Sequence, residues 1–332
     1  MKAIRTHEVG GPETLTLDEI DAPTPGKGEV LVAVKACAIN YPDTLMIRDL
    51  YQFKPERPYA PGGELAGVVE AVGEGVDNYQ VGDRVMAGIG NGGLAEKVVV
   101  PAGRMFPIPD GVPFEKAASL LMTYGTTIHG LKDRGHIKKG DTVLILGAAG
   151  GVGLSAVELA KAFGARVVAA VSSEAKSEVA KKAGADEVVI YPREDMDKVA
   201  SKELAGKFKA ACGPEGANIV YDIVGGQYSE PALRSIAWEG RFLVVGFPAG
   251  IAKMPLNLTL LKSCDICGVF WGAFTAREPA KFVAQVNELF ALMQEGKIDP
   301  LVSETFPLER AGDAIAKLEN REAVGKLVVT MD

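Results

Sequence analysis

One stretch constrains this chain more than any other: Thr142-Val143-Leu144-Ile145-Leu146 runs directly into Gly147-Ala148-Ala149-Gly150-Gly151-Val152-Gly153. The apolar run reads as a strand buried in a parallel sheet, and the glycines read as a tight turn at its end. From Leu154 to Phe163 the apolar residues then recur at helical spacing. A helix that starts so close to a strand end presents unpaired N–H groups and a partial positive charge. Glycines without a Cβ let a diphosphate approach those groups, so Gly150, Gly151, Val152 and Gly153 form the expected pyrophosphate site of a dinucleotide.

The second strand, Arg166 to Val171, decides which dinucleotide. A fold specific for NAD usually ends this strand in an acidic residue that holds the ribose hydroxyls. Here Ser172-Ser173 follow, with Lys176 close behind. Hydroxyls and an ammonium suit a 2′-phosphate, which favours NADPH over NADH. Glu174 beside them can cap the next helix or hold a ribose, and the cap is the favoured reading.

On either side of this unit the texture differs. Residues 2 to 122 hold short β runs, among them Val30 to Ala36 and Leu65 to Val72, separated by turn residues, as in a small barrel-like β domain. From Thr123 onward strands alternate with amphipathic helices, and six strands in βα order make a doubly wound parallel sheet. The strand from Gly325 to Thr330 is expected to return to the β domain, so that the sheet domain is an insertion. The expected organisation is α/β: a β-rich catalytic domain over 1–122 with 272–332, and a cofactor domain over 123–271. A chain of 332 residues has room for two such cores.

A net charge of −7 disfavours nucleic acid as a partner. No apolar run reaches transmembrane length and the first residues lack a signal-peptide core, so a soluble cytoplasmic protein without a membrane partner is expected. Cys37, Cys212, Cys264 and Cys267 show no disulfide framework, which suits a reducing compartment. Cys264 and Cys267 form a CxxC in an extended run rather than at a helix start, and are read as structural.

Several markers in order, Pro61-Gly62-Gly63-Glu64-Leu65-Ala66-Gly67, Val81-Gly82-Asp83-Arg84-Val85, Ala148 to Gly153, Gly184-Ala185-Asp186 and Gly325-Lys326-Leu327-Val328, resemble the medium-chain dehydrogenase/reductase superfamily. Within it the chain is similar to the zinc-free quinone oxidoreductase branch. The resemblance implies a GroES-like catalytic domain with a Rossmann cofactor domain, and a homodimer joined through the edge strand near 263–271. Relatives that oxidise alcohols hold zinc on a Cys at the place of Asn40 and on a His at the place of Gly63. Both ligands are missing here, and Cys37, three residues earlier on a continuing strand, should face away. His7, His129 and His136 show no ligand spacing, so no zinc is expected.

Without a metal the sensible chemistry is reduction of an activated acceptor, a quinone or an α,β-unsaturated carbonyl. The resemblance places Asn40, Tyr41 and Thr123 at the nicotinamide and acceptor, and Ser173, Lys176, Tyr191 and Arg321 at the 2′-phosphate. Phe247, Phe270 and Trp271 are to approach the carboxamide through backbone groups, with core packing the other reading of each aromatic. Leu45 stands where the family usually has Tyr, and Tyr41 or Tyr51 could replace that hydroxyl; Glu158 stands where it usually has Gln. Two other functions stay open: an enoyl or alkenal reductase, including one for acyl-CoA with Arg48, Lys54 and Arg57 near the thioester's phosphates, and a non-catalytic NADPH-binding protein.

Overall fold

The short runs of the first third pair mainly antiparallel in the computed structural model of the protein, in which residues 1–331 are described. The chain divides into two units, Met1–Met122 with the chain from Pro300 onward, and Thr123–Asp299. In the first unit the sheet runs in the order Val302–Pro307, Lys326–Thr330, Glu29–Ala38, Glu64–Val72, Arg84–Gly88, Met105–Pro107, with Lys97–Pro101 also paired to Glu29–Ala38. Its core includes Val32, Val34, Ile39, Leu65, Val85 and Val329.

The register of this sheet sets up a site. Ala38, at the end of its strand, lies opposite Glu64, the first residue of the next, and opposite Val328 on the other side. Both neighbours run antiparallel to Glu29–Ala38, so their starting residues Glu64 and Lys326 meet the chain where it leaves toward Asn40. Three strands distant in sequence thus deliver polar residues to one end of the sheet.

The second unit is a six-stranded parallel sheet in the order Glu187–Ile190, Arg166–Val171, Thr142–Leu146, Ala217–Asp222, Ile236–Val244, Asp265–Gly268. The chain winds outward from Thr142–Leu146 in one direction, then returns to lay Ala217–Asp222 on its other side. That reversal is the topological switch point, where open parallel sheets bind ligands beyond the C-terminal ends of their strands. Gly147 stands at that end, and the helix Gly151–Ala162 packs Leu154, Ala156, Val157, Leu159 and Ala160 into the core. Burial of a Leu or Val side chain contributes roughly 1.5–3 kcal/mol.

Two boundaries differ from the sequence expectation. Residues 272–299, grouped above with the β-rich domain, fall in the second unit. The helix Pro279–Gln294 buries Val286 and Leu289 there, and its Lys281 and Gln285 both bind Asp133. The last strand also stops at Gly268, and Trp271 opens a helix to Arg277.

Candidate active site

The glycine turn leaves its backbone open to a ligand. Gly147 takes φ +74, a conformation that side chains rarely adopt. Gly150 is the N-cap of the helix and has no side chain to satisfy the first-turn N–H groups. A Cβ on Gly153 would overlap the Gly147 carbonyl oxygen and come within 2.7 Å of the Ala148 Cα, so the helix begins in direct contact with the turn. First-turn donors that no side chain caps fit a diphosphate. From beneath, Ser155 Oγ donates to the Thr123 carbonyl at 3.1 Å and meets Thr127 Oγ1 at 2.7 Å, while the Tyr221 hydroxyl donates to Thr127 Oγ1 at 3.1 Å. This buried run of hydroxyls ties Thr123 to the first turns of the glycine-turn helix.

Beside the turn, the ends of Arg166–Val171 and Glu187–Ile190 bring Ser173, Lys176 and Tyr191 together, because the Tyr191 N–H donates to the Val171 carbonyl at 2.9 Å. Ser173 Oγ accepts from the Lys176 N–H at 3.3 Å and is the cap of the helix Glu174–Lys182. The cap expected of Glu174 is therefore Ser173's; Glu174 is the first helical residue, where its charge favours the helix dipole. Tyr191 is buried against Tyr228, ring centroids 4.7 Å apart. Burial lowers the pKa of Lys176, and the charge of Arg193 lowers it further. Arg321, by contrast, belongs to the first unit, where its charge acts on Tyr41.

The first unit holds a buried polar cluster that sequence reasoning missed. Lys326 Nζ donates to Asn40 Oδ1 at 2.6 Å and to the Ile39 carbonyl at 3.0 Å, and lies 3.7 Å from Glu64 Oε2. Asn40 Nδ2 donates to Glu64 Oε2 at 3.0 Å and to the Ala38 carbonyl at 3.2 Å, so both ends of the amide are engaged within the cluster. Asp43 accepts from the Asn40 N–H at 2.8 Å and the Gly62 N–H at 3.1 Å, and Glu64 Oε1 accepts from the Met122 N–H at 2.9 Å. Burial pushes Asp43 up to about 6, raises Glu64 and lowers Lys326. The buried Cys37 thiol packs against Gly62 and Gly93, and its pKa is raised mainly by burial and further by the charges of Asp43 and Glu64. The Glu64 and Lys326 markers were visible in the sequence, but only the strand register shows that they meet.

Tyr41 opens the short helix Tyr41–Met46 directly after this anchored turn. Burial raises its hydroxyl's pKa, opposed by Arg321, so the group keeps its proton at neutral pH and can donate. Tyr51 is likewise raised, by burial and by Asp43. Of the cations proposed for a thioester's phosphates, Arg48 forms a bidentate pair with Glu319 at 2.7 and 3.0 Å, and Arg57 pairs with Asp49 at 2.8 Å; Lys54 is exposed.

Near the ends of the last two strands, Phe247 and Phe270 are about half exposed. Gly225, at φ +72, lies against Phe247, and Asp222 holds that turn by accepting from the Val224 and Gly225 N–H groups at 2.9 and 2.8 Å. The Trp271 indole packs on Gly125, two residues from Thr123; its buried N–H has no partner among the described residues. His129 is satisfied by Asp133 at 2.8 Å and stacked on Phe274. Among the described residues no group of three or more His, Cys, Asp and Glu side chains could hold a metal, and no helix is long and apolar enough to cross a membrane.

A family model described as "Alcohol dehydrogenase GroES-like domain" matches residues 26–110, and one described as "Zinc-binding dehydrogenase" matches residues 151–289. The chain is 36% identical to a quinone oxidoreductase-like protein 2 homolog of Nematostella vectensis, over 99% of this chain and 88% of that protein. Among solved structures, a mycobacterial protein complexed with NADPH superposes with a TM-score of 0.91 at 35% identity, covering all of both chains. Escherichia coli quinone oxidoreductase complexed with NADPH does so with a TM-score of 0.90 at 30% identity, again over the full length of both.

Proposed function

Because the chain belongs to the medium-chain dehydrogenase/reductase superfamily, in its quinone oxidoreductase branch, we propose that this oxidoreductase is a zinc-independent, NADPH-dependent reductase of quinones. Bound NADPH supplies a hydride from nicotinamide C4. Gly150, Gly151, Val152 and Gly153 would hold its diphosphate, and Ser173, Lys176 and Tyr191 its 2′-phosphate. Thr123, Phe247, Phe270 and Trp271 are assigned to the nicotinamide end. Arg321, carried by the first unit, is assigned to the 2′-phosphate with Ser173, Lys176 and Tyr191.

The observation that carries the acceptor class is how the donor set around Asn40 is spent. At the two positions where zinc-bearing relatives carry ligands stand an amide engaged by Lys326, Glu64 and Ala38, and a glycine. Such a set lends no Lewis acid to an unactivated alcohol. A quinone is already electrophilic, and its reduced anion needs only hydrogen-bond donors. Asn40 acts in this reading by holding the turn, and the protonated Tyr41 hydroxyl donates to the developing oxyanion. The thioester alternative is less supported, since Arg48 and Arg57 are already paired with carboxylates.

The strand Asp265–Gly268 lies at the sheet edge, and Trp238, Ile251, Leu256, Leu260 and Leu261 are exposed in the same unit. An unpaired edge with exposed apolar residues in its unit supports a homodimer there. Four free thiols, all buried, agree with a cytoplasmic location. The acceptor class is tested by following NADPH oxidation with a panel of quinones, alkenals and enoyl-CoAs. Turnover with quinones is expected; turnover confined to enoyl thioesters would replace the quinone, and tight NADPH binding without turnover would make this a non-catalytic binding protein.

A further inference from the structure

Two successive turns of the helix Gly151–Ala162 hold Thr123 and Tyr124 of the helix Leu121–Ile128. Ser155 Oγ donates to the Thr123 carbonyl at 3.1 Å, and one turn further along Glu158 Oε2 accepts from the Tyr124 hydroxyl at 2.6 Å. The same oxygen accepts from the Asp299 N–H at 3.0 Å. Thr123 and Asp299 are the first and last residues of the second unit, so one carboxylate oxygen ties both ends of that unit to the helix that starts at the glycine turn. A hydroxyl this close to a carboxylate makes a charge-assisted bond, roughly twice as strong as a neutral one. Tyr124 is buried, and burial together with the charge of Glu158 holds its pKa well above the ordinary value, so it keeps the proton that it donates. A phenol at this depth needs an acceptor, and Glu158 supplies it.

We propose that Glu158 is a positioning residue for hydride transfer: by holding Tyr124 and Asp299 it keeps Thr123 in one place relative to the glycine turn. The proposal rests on the NADPH reading above, in which Thr123 stands at the nicotinamide end, and deepens it. The bond from Ser155 fixes one point on the helix Leu121–Ile128, and the bond to Glu158 fixes its rotation. Thr123 and Tyr124 are about 100° apart around the helix axis, so a rotation that releases the Tyr124 hydroxyl also carries Thr123 away. A displacement of about 1 Å can slow a step that depends on geometry by roughly a hundredfold. Glu158 itself lies about two turns beyond the donors of the glycine turn, too far along the helix to hold the diphosphate. Its loss should therefore act on the transfer step and spare cofactor binding. A Gln at this position keeps a carbonyl oxygen that can accept both bonds.

The test compares full-length wild type, E158A, E158Q, Y124F and the E158A/Y124F double variant. Each is titrated with NADPH at equilibrium, followed through single-turnover oxidation of NADPH by a simple quinone, and melted. E158A is expected to slow single turnover by about tenfold or more while changing NADPH affinity by less than about threefold. E158Q should stay within about threefold of wild type, and the double variant should be no slower than E158A, since both changes break the same bond. Y124F removes the hydroxyl without leaving a buried donor unpaired, so its thermal midpoint should fall less than that of E158A while single turnover slows by about threefold or more. It carries the test if E158A fails to fold. If wild type oxidises NADPH and both E158A and Y124F keep its rate, or if E158A loses as much affinity as rate, the assignment of Glu158 falls and the NADPH reading stands. An E158Q as slow as E158A would overturn the assignment in the same way. If wild type does not oxidise NADPH with any quinone, the reading of function falls first and takes this proposal with it.

Discussion

The glycine turn of the second unit and the buried cluster of the first unit solve opposite problems. The turn starts a helix whose first N–H groups have no side-chain cap, so that a charged ligand can complete them. The cluster brings its own cation, Lys326, and spends it on Asn40 and Glu64 inside the protein. One site is built to be finished by a ligand and the other to be finished without one. The lesson is that burial of charge is tolerable only where the compensating group is covalently present, whereas an open helix end can wait for its partner in water.

The largest effect expected of a single change is at the closed site. Lys326→Met leaves Glu64 buried with only the amide and backbone donors, and should cost about 3–5 kcal/mol in urea unfolding. Adding Glu64→Gln to the same chain should recover part of the loss, since the uncompensated charge is then gone; a double variant no more stable than the single one breaks the account of the cluster. At the open site, Gly153→Ala pushes a methyl into the Gly147 carbonyl and Ala148. NADPH affinity should fall by about a hundredfold, with a stability loss of about 1–3 kcal/mol. A larger stability loss than that of Lys326→Met would reverse the contrast between the two sites.

Smaller effects sharpen the same contrast. Lys176→Ala should weaken NADPH by about tenfold and leave NADH nearly unchanged; equal losses would remove the 2′-phosphate from this end of the sheet. The closed site should also show itself in pH dependence. Burial raises Asp43 from 3.8 to about 6, so folding favours its protonated form. Its contribution is fully present below its unfolded pKa and is lost as pH rises through the folded value. The stability advantage of wild type over Asp43→Asn should therefore shrink between about pH 4 and pH 6. A constant difference over that range would mean that Asp43 is ionised throughout.

How much of this was legible in the sequence follows from distance along the chain. Strand, glycine turn and helix are contiguous, so Gly147 to Gly153 and the parallel sheet could be read directly. The start of the helix Glu174–Lys182 was legible for the same reason, although the sequence favoured Glu174 as cap where the hydroxyl of Ser173 does that work. The cluster was not legible, because Asn40 and Lys326 stand 286 positions apart and meet only through antiparallel register. Arg48 and Arg57 read as open cations in the sequence because nothing local reveals Glu319 or Asp49 as their partners. The segment 272–299 was misassigned for a related reason: its helix is amphipathic, and amphipathicity says that a face is buried without saying against what.

The most direct measurement is single-turnover oxidation of NADPH by a simple quinone, with enzyme in excess and a metal chelator present throughout. Rapid loss of nicotinamide absorbance on mixing, unchanged by the chelator and much slower with NADH at equal concentration, is the expected result. Oxidation no faster than in buffer alone, or oxidation abolished by the chelator and restored by zinc, would contradict it.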